Sequence, residues 1–132
     1  TVATSSGDIK LDSVSSKDTR ISANSGDVSL GDVVMDNIDL KTSSGNITSG
    51  SIKAKRINGR ASSGDVMIRD CDASEINVVT TSGDVSIGIG SEMKYEYNTK
   101  TSSGDVNVPD SVEGADGKCN IETSSGDIDV TQ

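Results

Sequence analysis

Apolar and polar residues alternate in short runs that return along the whole chain: Ile9-Lys10-Leu11, Val28-Ser29-Leu30, Ile47-Thr48-Ser49, Val66-Met67-Ile68, Val85-Ser86-Ile87, Val106-Asn107-Val108 and Ile128-Asp129-Val130. Alternation with period two predicts strands that bury one face. Each run follows a Ser-Gly-Asp phrase, with Asn replacing Asp once. Its glycines stand at Gly7, Gly26, Gly45, Gly64, Gly83, Gly104 and Gly126, so the spacing is 19 four times, then 21 and 22. So short and regular a period predicts stacked coils.

Other columns keep the same step. Three residues before each glycine stand Thr4, Ala23, Thr42, Ala61, Thr80, Thr101 and Thr123, never a large residue. Twelve and fourteen after it come Thr19 and Ile21, Ile38 and Leu40, Ile57 and Gly59, Ile76 and Val78. The fifth and sixth coils are longer. Counting back from the following glycine puts Tyr97 and Thr99, then Cys119 and Ile121, in these columns, and the extra residues must bulge on that side. A further inward column, Val14, Val33, Ile52 and Cys71, fades at Gly90 and Ser111. No helical period competes.

The expected fold is all-β: a single-stranded right-handed β-helix (β-solenoid) of about 19–22 residues per coil, with coils following one another in chain order. Left-handed coils are built on a six-residue beat, and the inward positions here show none. The seven-fold glycine marks a corner where φ is positive or where a side chain would strike the next coil.

Residues 1–132 form one domain on this reading, with the repeat running throughout. Both ends cut through a repeat, and neither supplies the polar cap that a stacked core and open strand edges require. A segment of a longer parent chain is therefore expected. Composition adds one question. Without Phe, Trp or His, and with only two Tyr, the chain is poor enough in large apolar residues to suggest disorder. Ordered β-branched columns answer it, because stacked coils bury a thin continuous core without aromatic layers.

The repeated Thr-x-Ser-Gly-Asp-Ile/Val-x-Ile/Leu phrase, from Thr4 to Val130, resembles that of a bacterial adhesin-type family of β-helical domains. The resemblance implies a non-catalytic structural or adhesive module of a cell-surface or envelope protein, extracytoplasmic and without assigned molecular function. It implies no catalytic motif.

Stacking would file Asp8, Asp27, Asn46, Asp65, Asp84, Asp105 and Asp127 in one ladder. Such a ladder could hold hard cations. Asp also caps tight turns through nearby backbone N–H groups, and no calcium-binding nonapeptide or EF-hand motif is present. The structural reading is preferred, with no metal and no cofactor. The alternatives are a carbohydrate-active β-helix enzyme or an envelope regulatory module that binds an ion or an anionic polymer. Against the enzyme, glycoside hydrolysis needs two carboxylates in different environments, and every repeat Asp here has near-identical neighbours.

Basic residues concentrate around the third coil, at Lys41, Lys53, Lys55, Arg56 and Arg60. Of these, Lys53, Lys55, Arg56 and Arg60 are a candidate patch for an anionic surface polysaccharide, or simply a solvated face paired to acids. The formal net charge of -9 argues against nucleic acid. No apolar stretch is long enough for membrane insertion. Partners would be a surface polysaccharide, another protein, or a second copy meeting uncapped ends or edges. Cys71 and Cys119 fall in the fourth and sixth coils. Two rises of about 4.8 Å would hold them beyond disulfide reach, as small core fillers.

Overall fold

The computed structural model describes residues 1–90 and 94–132. Ten strands make one continuous parallel sheet wound into a β-solenoid of about seven turns. They are β1 (Val2–Ser6), β2 (Ile9–Ser25), β3 (Val28–Ser44), β4 (Ile47–Ser63), β5 (Val66–Ser82), β6 (Val85–Ile89), β7 (Tyr95–Ser103), β8 (Val106–Asn107), β9 (Gly117–Ser125) and β10 (Ile128–Thr131). From β1 to β5 the register follows the repeat, with residue i beside residue i+19, as Ile9↔Val28↔Ile47↔Val66 shows.

Beyond β5 the stack leaves chain order. The second half of β5 is flanked by β9, not β7: Ile76 pairs with Cys119, and Cys119 pairs on its other side with Tyr97. After the corner, Ile128 of β10 lies between Val85 of β6 and Val106 of β8. The corners therefore stack as Gly7, Gly26, Gly45, Gly64, Gly83, Gly126, Gly104, and the last coil in sequence is the penultimate layer in space. Chain-order stacking was the natural expectation because every phrase offers the same ladder. Tyr95 and Gly117 distinguish the actual order. The Tyr95 ring crosses the bare backbone of Gly117, where a Cβ would lie 2.6 Å from the ring. Its hydroxyl reaches Ala73, accepting from the backbone N–H at 3.3 Å and donating to the carbonyl. A side chain on the intervening strand would close that route.

The core is the thin column stack that the alternation implied. Val28, Ile47, Val66, Val85 and Ile128 are buried one above another, as are Ile38, Ile57, Ile76 and Cys119. Counting back placed Tyr97, Thr99, Cys119 and Ile121 in their proper columns. Of the stretch where the fifth coil is expected to bulge, residues 91–93 lie outside the described residues. Two corrections apply inside. Cys71 is followed in its column by Ile89, not Gly90, because the β5–β6 register shifts between Ile68 and Cys71. A further inward column, Met35, half-buried Ala54 and Ala73, lies two residues beyond it.

The cysteines also move closer than expected. With β9 laid directly on β5, Cys71 and Cys119 occupy adjacent layers, both fully buried and both free thiols. The two-rise separation assumed for chain-order stacking does not hold.

The two ends differ. At the first layer Val2, Leu11 and Val14 are only partly covered. At the other end, residues 108–116 fold back over the outer edge of β7: Val112 N–H donates to the Tyr95 carbonyl at 3.0 Å, and Tyr97 N–H to Ser111 Oγ at 3.0 Å. The expectation of two bare ends is corrected at this stretch, since the loop that returns the chain also satisfies the edge strand. It stops short of the Ser103–Asn107 corner.

Candidate functional site

The most regular feature is the corner. In an inner layer the glycine N–H donates to the serine carbonyl of the next layer, Gly45 to Ser63 at 3.1 Å, and the residue two further on does likewise, Ile47 to the Asp65 carbonyl at 2.9 Å. The intervening residue points the other way. Its N–H donates back to the side-chain Oδ1 of the layer before: Asp27 to Asp8, Asn46 to Asp27, Asp65 to Asn46, Asp84 to Asp65, Asp127 to Asp84 and Asp105 to Asp127, all at 2.8–3.0 Å. The candidate residues thus form one file. Asn46 fits because an amide oxygen accepts as a carboxylate does.

Glycine is required there for two reasons, seen at Gly64. Its φ is +143°, and a Cβ would stand 2.0 Å from the Gly45 carbonyl oxygen. Both come from folding the backbone sharply against the layer before it. Among the described residues no group of three carboxylate or thiol side chains converges as a metal cage.

The basic candidates divide at a corner. Alternation of buried and exposed positions breaks at Lys55–Arg56, where both side chains face solvent, so Lys53 and Lys55 lie on one side of it and Arg56 and Arg60 on the other. Lys55 Nζ pairs with Asp36 at 3.2 Å, and Arg56 Nε with Glu75 at 2.9 Å. Lys53 lies in register with Asp72, and Arg60 with Lys41. The structure therefore brings Arg60 beside Lys41 and neutralises Lys55 and Arg56 in part.

Sequence reasoning missed an outward file of amides on the strand before the corner. Asn77 Nδ2 donates to Asn58 Oδ1 at 3.3 Å, and Asn120 Nδ2 to Asn77 Oδ1 at 2.9 Å. The step of 19 from Asn58 to Asn77 is visible in sequence. Asn120 is visible only once β9 is known to lie on β5. Asn77 also donates to Glu75, and with Arg56 this holds the Glu75 carboxyl below the usual carboxylate range. The same face carries an open groove of about 430 Å³, lined by Asp18, Arg20, Asn37, Asp39, Arg56 and Asn58 among others.

The whole chain, residues 1–132, matches one family profile, Toastrack DUF4097. The chain belongs to the Toastrack DUF4097 family. Neither a curated protein nor a solved structure matches it. The Toastrack family is uncharacterised, so its name gives this domain a β-solenoid kinship and no activity. No helix of this Toastrack domain is long and apolar enough to cross a membrane.

Proposed function

We propose that this Toastrack domain is a non-catalytic structural and adhesive module that presents a rigid, repeating β-face at a bacterial cell surface or envelope. The observation that carries the reading is the Asp/Asn file. Six of its seven side chains, Asp8, Asp27, Asn46, Asp65, Asp84 and Asp127, each spend Oδ1 on the backbone N–H of the neighbouring layer. These are equivalent structural roles in near-equivalent surroundings. Acid–base chemistry instead needs carboxylates driven apart in environment. Even spacing suits a stiff scaffold or an extended binding face.

The ligand class that suits the face carrying Lys41 and Arg60 is a weakly bound anionic surface polymer, since these two charges lie side by side and find no ion-pair partner among the described residues. The test is a panel of surface glycans, with binding read by calorimetry and reducing-end release read alongside. Salt-sensitive binding that weakens in Lys41→Ala/Arg60→Ala, without saccharide release, is the expected result. Release that vanishes on replacing a single Asp would move the domain to the carbohydrate-active enzymes. Fractionation of cells that make this protein, followed with an antibody to the domain, tests the envelope assignment, and a purely cytosolic signal overturns it.

A further inference from the structure

The amide file on the strand before the corner holds itself in place with hydrogen-bonding groups left over. Register carries it from Asn58 through Asn77 and Asn120 to Asn98, one amide in each successive layer. Asn77 is fully committed: its Nδ2 donates to Asn58 Oδ1 at 3.3 Å and to Glu75 Oε1 at 3.0 Å, and its Oδ1 accepts from Asn120 at 2.9 Å. Its neighbours are not. Among the described residues, Asn58 keeps both N–H donors, Asn120 keeps one N–H and its Oδ1, and the exposed Asn98 makes no side-chain hydrogen bond. The outer three amides line an open groove of about 150 Å³ together with Val79, Lys100 and Glu122. Val79, 43% exposed, gives that groove an apolar spot. The charges around it balance: Arg56 pairs with Glu75 at 2.9 Å, Lys100 with Glu122 at 3.5 Å, and Lys118 lies in register between Glu75 and Glu96.

We propose that this file binds a strand of an uncharged polysaccharide, laid lengthwise along the stack so that successive sugar units meet successive layers. The ligand class follows from the groups left over. A sugar hydroxyl both donates and accepts, so it can take an amide N–H and answer an amide Oδ1, while the C–H face of a pyranose ring covers the exposed valine. Layers follow one another at about 4.8 Å, close to the advance per unit of an extended glycan. Amides already held by one another and by Glu75 lose little side-chain freedom on binding. An anionic chain gains nothing where acids and bases balance. A peptide cannot add here as an extra strand, because the backbone of β5 is already laddered on both sides, to β4 and to β9. Arg60 lies in register beside Val79, where this neutral stretch gives way to the basic pair it forms with Lys41. The site goes beyond the anionic-polymer reading, and the two fail separately.

Heteronuclear NMR of the 132-residue chain, titrated with cellohexaose, laminarihexaose, mannohexaose and the acidic hexagalacturonate, reads binding at each Asn side-chain amide. Saturable shifts at Asn98, Asn120 and Val79 with at least one of the three neutral chains are expected, equal at low and high salt. The matching disaccharide should bind more weakly, because it spans fewer layers. Asn98→Ala removes an amide that no described residue uses, and should weaken the neutral chain about fivefold. Val79→Asp sets a carboxylate in the apolar spot and should weaken it at least as much. Circular dichroism melts, unchanged for Asn98→Ala, separate loss of the site from loss of fold. No saturable shift with any neutral chain, or shifts indifferent to both substitutions, overturns the proposal. Binding of hexagalacturonate alone, abolished by salt, also overturns it while leaving the Lys41 and Arg60 reading intact.

Discussion

Asp127 donates its backbone N–H to the side chain of Asp84, 43 residues earlier, at 2.9 Å, while Asp105, nearer in sequence to both, lies one layer further out. That relationship makes the C-terminal coil an internal layer of the stack.

Removing residues 117–132 should therefore do more than shorten the rod. Among the described residues, strand β7 pairs only with β9, and β8 only with β10. Hydrogen exchange on the truncated chain should find β7 and β8 unprotected while β2–β4 keep slow amides. Protection of β7 surviving the truncation would mean that it can dock directly on β5.

Two glycines of one neighbourhood should respond in opposite senses. Gly64→Ala places a Cβ 2.0 Å from the Gly45 carbonyl oxygen at a φ of +143°, and should cost more than about 2 kcal/mol in a urea melt. Gly59 is buried at an extended position where a Cβ would meet only Val78, its Cγ2 at 3.6 Å and its Cγ1 at 4.0 Å, both ordinary contacts. Gly59→Ala should stabilise by about 0.5–1 kcal/mol. The outward Thr48→Val should change little.

Tyr95→Phe isolates the layer-crossing bond. The Ala73 N–H and carbonyl lose their hydroxyl partner in a buried setting, and a loss of about 1–3 kcal/mol follows. Gly117→Ala, which pushes a methyl into the Tyr95 ring, should cost at least as much. A neutral result for both would show that the ring does not hold the outer layers together.

Burial raises the Cys71 thiol from 9.0 to about 12, with Cys119, Asp72 and Asp70 adding charge repulsion, and burial alone raises Cys119 to about 12. Tyr95 goes from 10.0 to about 12, again chiefly by burial. For each group the folded state holds its proton more tightly than the unfolded chain. The stabilisation is complete below about pH 9 for the thiols and about pH 10 for Tyr95, and is lost as pH climbs from there towards 12, at up to about 1.4 kcal/mol per pH unit for each group. Denaturant melts from pH 8 to 11 should show the fall, and Cys71→Ala/Cys119→Ala should flatten it. At neutral pH the same burial makes both thiols slow to alkylate until denaturant is added, when mass analysis should count two labels.

Much of this architecture was legible in the residues themselves. Alternation with period two, β-branched columns 19 apart and the positive-φ glycine follow from local chemistry: a strand with one buried face and a corner too tight for a side chain. They determined the solenoid, most of its inward residues and the Asp/Asn file. Layer order was not legible, because each phrase offers the same donors and acceptors and so cannot name its neighbour. Only tertiary packing decides that Cys119 lies beside Ile76, that Asn120 extends the Asn58–Asn77 file and that Cys71 and Cys119 share adjacent layers. The deciding contact joins residues far apart in sequence, Tyr95 passing over Gly117 to Ala73, and its fit exists only once three layers are already side by side.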